Sequence, residues 1–180
     1  MRNFPLSILI AAVCVAGASF NGFCGQSDPS PVQIAQALRH KNSADAFLRR
    51  DQVSLAIGEY QKAVALNPRS TAAYFNLAVA YYSEKNWKGA KRALRKVLAL
   101  DKHDAEARYN LACLSLREGN LEGAGRGFKR VLKNSPVDSA FRPLAAKGLR
   151  FVDRIKKEDP GNRTILLRLL RDLPTLRQSD

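Results

Sequence analysis

The chain has 180 residues, 46% hydrophobic and 26% charged, which suits one domain of moderate size with a sizeable core. Lys and Arg outnumber Asp and Glu by 30 to 16, a formal charge of +14. There are only two histidines, His40 and His103, with no second ligand-type residue at a metal-binding interval on the same helical face, so neither a metal site nor a catalytic constellation is expected.

In chain order, Arg2 followed by LSILIAAVCVAGASF is a short positive region and an apolar run ending in small residues, the pattern of a secretory signal peptide. Ala16-Gly17-Ala18 offers a small-x-small site, which predicts a signal over 1–18 cleaved after Ala18, with Ala16 as second choice. The alternative is an uncleaved membrane anchor, although Leu6 to Phe20 falls short of the roughly 20 residues needed to span. Neither Cys14 nor Cys24 has the Leu-small-small context of a lipid-modified cysteine. Cleavage removes one charged residue, Arg2, so the mature chain stays strongly basic. Residues 19–30, rich in Gly, Ser, Asp and Pro towards their end, read as a flexible leader. Ser30-Pro31 has the form of a helix start, a side-chain cap followed by proline in the first turn.

Residues 31–70 are read against two clearer units that follow, 71–104 and 105–138, each 34 residues long and aligning without a gap. In these, Asn76 meets Asn110, Leu77 meets Leu111, Ala78 meets Ala112, Gly89 meets Gly123, Ala90 meets Ala124, and Val97-Leu98 meets Val131-Leu132. Each holds two apolar stripes at helical spacing; in the first, Tyr74, Leu77, Ala78 and Tyr81 precede the break Glu84-Lys85-Asn86, and Ala90, Leu94, Val97 and Leu98 follow it. The unit is therefore a helical hairpin, with the small Ala78 and Ala90 expected where the helices cross. Counting back 34 residues puts Ala56, Tyr60 and Ala63 under Ala90, Leu94 and Val97, which predicts a second helix with Asp51 as its cap. The first helix of this leading unit is weaker: Ala44 and Phe47 fall in register, while His40 and Ser43 stand where an aromatic and Leu belong.

After Asp138 the period stops, but Ala145, Ala146 and Leu149 still fall where a fourth first helix would put them. A long capping helix over 139–157 is expected, with Arg150, Arg154, Lys156 and Lys157 facing water. Asp159-Pro160-Gly161 breaks it, Thr164 to Asp172 suits a short last helix within a cap running to 173, and 174–180 reads as a disordered tail.

These residues resemble the tetratricopeptide repeat, whose pattern is an aromatic, Leu-Gly/Ala, Tyr, Ala, a large apolar residue, Ala and Pro. Tyr74, Leu77, Ala78, Tyr81, Ala90, Leu94 and Val97 supply it in one unit, with Lys102 in place of Pro; Leu111, Ala112, Ala124, Phe128, Val131 and Pro136 supply it in the next, where Arg108 and Ser115 replace two aromatics. The resemblance implies an all-α fold, a right-handed superhelical solenoid of helix-turn-helix repeats with a C-terminal capping helix. It also implies a non-enzymatic scaffold that binds a protein or peptide.

First helices of such a stack line its concave side. The expected groove runs from Lys41, Asn42, Asp45 and Arg49 through Phe75, Asn76, Val79 and Tyr82 to Glu106, Tyr109, Asn110, Cys113, Leu116 and Arg117, with Lys147 at its far end. Phe75, Tyr82 and Tyr109 would be exposed anchors, and Asn76 and Asn110 would meet a peptide backbone. Members that bind acidic chaperone C-termini use a Lys and an Asn in the first repeat, an Asn in the second, and a Lys and an Arg in the third. Lys41 and Asn76 match; Asp45, Glu106 and Asn110 take the other places, and the two carboxylates oppose that mode. On the convex side Lys88, Lys91, Arg92 and Arg95, then Arg126, Lys129, Arg130 and Lys133, form a second candidate surface. It suits anionic lipid or acidic partners; the export signal argues against nucleic acid. Gly123-Ala124-Gly125-Arg126-Gly127 superficially suggests a phosphate loop, but no strand precedes it, so it reads as a closely packed, weakened helix. A Cys24–Cys113 disulfide is conceivable in an oxidising compartment, against which Cys24 stands in the leader.

Overall fold

The computed structural model describes residues 28–158, and the readings for the signal, most of the leader, Cys24, the last helix and the tail lie outside them. Seven helices follow in order: α1 (Pro31–Arg49), α2 (Val53–Leu66), α3 (Thr71–Ser83), α4 (Trp87–Leu100), α5 (Ala105–Arg117), α6 (Leu121–Asn134) and α7 (Phe141–Glu158). They pack as antiparallel pairs, α1 with α2, α3 with α4 and α5 with α6, and α7 closes the stack against α6 and α5. Among the described residues no helix is long and apolar enough to cross a membrane.

The 34-residue period is written into the helix ends as well as the cores. Ser70 and Asp104 cap α3 and α5, and Asn86 and Asn120 cap α4 and α6, each side chain accepting from the backbone N–H three residues on. Ser30 caps α1 in a full capping box with Gln33. Within each pair the chain reverses through a left-handed residue, Asp51 (φ 59°), Lys85 (φ 58°) and Gly119 (φ 76°), again 34 apart. Asp51 is therefore the hairpin's reversal residue and not the cap of α2. That place belongs to Gln52, whose side chain makes no capping bond.

Small residues set the distance between paired helices. In α5–α6 the close approach is Gly127 over Ala112, where a Cβ on the glycine would lie 2.6 Å from the Ala112 Cβ and 3.2 Å from its Cα. The equivalent pair in α3–α4 is Ala78 with Ala93, both buried. The crossing thus falls three residues beyond Ala90, although Ala90 is also fully buried. The glycine-rich run lies inside α6 as expected. Gly148 of α7 lets the Phe128 ring lie against the helix, since a Cβ there would sit 2.7 Å from Cζ.

Two apolar clusters fill the stack. One joins α1 to α5 around Tyr60, Phe75, Leu94 and Leu114, and the other joins α5, α6 and α7 around Tyr109, Phe128, Val131 and Val152. Arg142, near the start of α7, donates to the Leu132 and Ser135 carbonyls at the end of α6, satisfying groups that helix leaves open.

Candidate functional site

The first helices of successive pairs touch, α1 with α3 and α5 with α7, which puts them on the inner side of the curve. Their inner residues meet two environments. Those packed between successive pairs are covered, and the others face the groove.

Coverage removes most of the expected apolar anchors. Phe75 and Val79 are buried in the cluster that reaches Ala107 and Leu114 of α5. Tyr109 and Leu116 are buried against α6 and α7, with the Tyr109 ring 5.7 Å from Phe128 and 5.8 Å from Phe141. These four residues are packing between repeats and not an open floor. Asn76 and Asn110 also lie below the surface, at 6% and 3% exposure. Burial pushes the Tyr109 phenol up, with Cys113 beside it adding to the shift, and pushes the Cys113 thiol up to about 12.

What remains toward the groove is mostly polar. Lys41 and Asp45 are half-buried and form an ion pair at 2.8 Å along one face of α1, while Asn42 and Arg49 are exposed. Asp45 also accepts from the Tyr60 hydroxyl at 2.5 Å and from Asn76 Nδ2 at 3.1 Å. Burial raises the Asp45 carboxyl, but Lys41, Tyr60 and Asn76 together outweigh it and hold the group below its usual value. Tyr60 is pushed up by burial and by that carboxylate. Lys41 and Asn76, the two residues that match the acid-binding mode, are thus both engaged by the chain's own Asp45. Asn76 Oδ1 and Asn110 Nδ2 are buried without a partner among the described residues.

At the far edge Arg117 closes a small aromatic cluster. Its guanidinium lies 4.8 Å from the Trp87 ring centre and 5.3 Å from that of Tyr82, donates to the Tyr82 hydroxyl at 2.8 Å, and the two rings meet edge to face at 5.0 Å. Tyr82 is accordingly half-buried, neither open nor fully covered. Lys147 is exposed on α7, and Glu106 and Cys113 are half-buried. Trp87 and Tyr60 escape a reading of first helices because they come from second helices; only their aromatic character in polar surroundings marks them.

On the convex side Lys88, Arg92, Arg95, Arg126, Lys129, Arg130 and Lys133 are exposed. Lys91 departs from the set: it reaches across to the C-terminal cap of α5 and pairs with Glu118 at 2.6 Å. Among the described residues no group of three or more His, Cys, Asp or Glu could hold a metal ion. His103 belongs to a turn, its N–H donating to Asp101 Oδ1 at 2.8 Å, and His40 Nδ1 lies 2.6 Å from Glu59 Oε2.

Family comparison fits this helix order. A tetratricopeptide repeat model matches residues 82–148 and a second TPR repeat model matches residues 44–84. The chain carries tetratricopeptide repeats. Among solved structures, the P58(IPK) TPR domain is 28% identical with a TM-score of 0.60, over 67% of this chain and 33% of that one. This chain therefore spans about a third of that protein's length. The first TPR of Spaghetti (RPAP3), bound to the HSP90 peptide SRMEEVD, is 22% identical with a TM-score of 0.60, over 68% of this chain and 94% of that one. The Yersinia enterocolitica type III secretion chaperone SycD, in complex with a peptide of the translocator YopD, is 13% identical with a TM-score of 0.64, over 71% of this chain and 100% of that one. At those identities the last two share the fold alone. A search of curated proteins finds no match. The chain is a right-handed helical solenoid of TPR repeats, a class of interaction module that is typically not catalytic.

Proposed function

We propose that this protein is a non-enzymatic scaffold that holds an extended protein segment in its concave groove, and that it works after export. The observation that carries the groove reading is the pair of buried amides one repeat apart. Asn76 Oδ1 lacks a donor and Asn110 Nδ2 lacks an acceptor. Both atoms are shielded in the unbound chain, so a segment running from α3 to α5 reaches them only by parting the side chains above them, and pairing groups whose isolation costs about 1–3 kcal/mol each favours that opening. RPAP3 and SycD, which share the fold, were solved with peptides bound. The segment here is not an acidic C-terminus like SRMEEVD, because Asp45 already occupies Lys41 and Asn76.

The export reading rests on Arg2 and the apolar run from Leu6 to Phe20. N-terminal sequencing of the native protein should return Ser19; a chain starting at Met1 would make the segment an anchor and refute cleavage.

Binding is tested by capture from the envelope fraction with wild type, Asn110→Ala, and a convex variant, Arg130→Glu/Lys133→Glu. A partner lost only by Asn110→Ala supports the groove. Capture abolished by the charge reversal and untouched by Asn110→Ala would instead assign function to the basic face and its acidic or lipid partners.

A further inference from the structure

The structure also holds a crevice of about 510 Å³ between α3 and α4, outside the groove, with Tyr74, Leu77 and Tyr81 among its walls and Arg92, Arg95 and Lys96 at its edge. We infer that this crevice docks an acidic partner segment through a bulky apolar side chain. The inference shares with the groove reading only the premise that the partner is a polypeptide.

The α4 side of the crevice combines the small Gly89, Ala93 and Ala99 with three cations, and Gly89 lets the Tyr81 ring rest on the helix as one wall. A Cβ on Gly89 would lie 2.8 Å from Tyr81 Cγ, so any side chain there would collide with the ring. Gln61 of α2 fixes the far end of that ring by donating to the Tyr81 hydroxyl at 2.7 Å. The next repeat does not reproduce the wall, because Ser115 stands in the place of Tyr81. The crevice is therefore a particular feature of α3–α4 and not a general property of the stack.

Its chemistry selects the occupant. The lining is largely apolar and its volume lies within the range of ligand sites. Three cations stand at the edge with no acidic residue among the lining, and none of the three forms an ion pair among the described residues. A leucine or aromatic side chain would fill the cleft while flanking carboxylates meet the guanidinium and ammonium groups. A second copy of this chain is a poor occupant, since its formal charge of +14 repels the same edge. The groove carries both signs, with Lys41 already paired to Asp45, whereas the crevice edge carries cations alone.

The test pans a random-peptide phage library against the full chain. Enriched peptides should carry a bulky apolar residue flanked by Asp or Glu. Their affinity should fall about tenfold or more in Arg92→Glu/Arg95→Glu/Lys96→Glu, and far less in Arg126→Glu/Arg130→Glu/Lys133→Glu, which makes the same charge change on α6. Circular dichroism confirms that both variants, altered at exposed positions, remain folded. Ala99→Leu, at an exposed position of the lining, narrows the cleft without changing charge and should weaken the same peptides. The inference is overturned by failure to enrich, by enriched peptides without acidic bias, or by equal loss in both charge reversals. Peptides lost by Asn110→Ala but retained by the α4 reversal would overturn the crevice and leave the groove reading standing; the opposite pattern supports the crevice and leaves the groove to its own capture test. Anionic vesicles that bind with the same α4 dependence, where no peptide is enriched, would make it a lipid site instead.

Discussion

Substituting Gly127 by alanine tests whether the α5–α6 distance is set by the absence of one methyl group. Inside a helix the change gains about 0.8–1.0 kcal/mol of propensity. The new Cβ, however, would stand 2.6 Å from the Ala112 Cβ and 3.2 Å from its Cα, and the backbone at Ala112 cannot turn aside as a flexible side chain would. Overpacking of this kind costs about 1–3 kcal/mol, so the net effect should be a loss of about 0–2 kcal/mol. Gly125, two residues earlier in the same helix, is the internal control. A Cβ there meets only Val152 Cγ1, at 3.6 Å, an ordinary contact. Gly125→Ala should therefore stabilise by about 1 kcal/mol. Urea unfolding followed by circular dichroism should separate the two variants by about 1–3 kcal/mol, a midpoint difference on the order of 1 M. In an Ala112→Gly background the closest contact is gone, and Gly127→Ala should lose most of its cost. Equal midpoints for the two variants, or a cost unchanged by Ala112→Gly, would refute the close-approach argument.

Tyr109→Ala should cost about 3–5 kcal/mol in the urea midpoint, because the ring is core packing between α5, α6 and α7; a cost within about 0.5 kcal/mol would return it to the surface. Lys85→Gly should stabilise by about 1 kcal/mol, since the residue sits at φ 58° where a Cβ is penalised, and a destabilised variant would contradict that turn. The Cys113 thiol, raised to about 12 mainly by burial, should resist alkylation at pH 8 in the folded protein and react once urea unfolds it; equal rates in the two states would count against its burial. Asp45 has its folded carboxyl lowered below 3.8, so its contribution is complete above the unfolded value and is lost as pH falls through the folded one. The midpoint of Asp45→Asn should therefore vary less than that of wild type between about pH 5 and pH 2, and parallel curves would show that the cluster adds no pH-linked stability.

The architecture was legible in the sequence because a repeat states the same local facts more than once. The period, the paired helices and the apolar stripes at Ala78, Leu94 and Val97 all come from spacing along one helix, and the structure reproduces them. The caps at Asn86 and Asn120 could have been found by the same register, which also shows that Asp51 aligns with the reversal residues Lys85 and Gly119 and so cannot be a cap. Which inner residues stay open was not legible. Phe75, Val79, Tyr109 and Leu116 lie on the helical face that points inward, but a single helix's periodicity cannot tell a groove from the neighbouring helix that covers it. That distinction depends on how far each pair is rotated onto the next, and contacts such as Tyr109 on Phe141 decide it across 32 residues of sequence. The cluster around Asp45 arises in the same way, joining a residue of α1 to Tyr60 on α2 and Asn76 on α3. Spacing determined the helices and their pairing; only packing between pairs decided which side chains became core and which remained available to a partner.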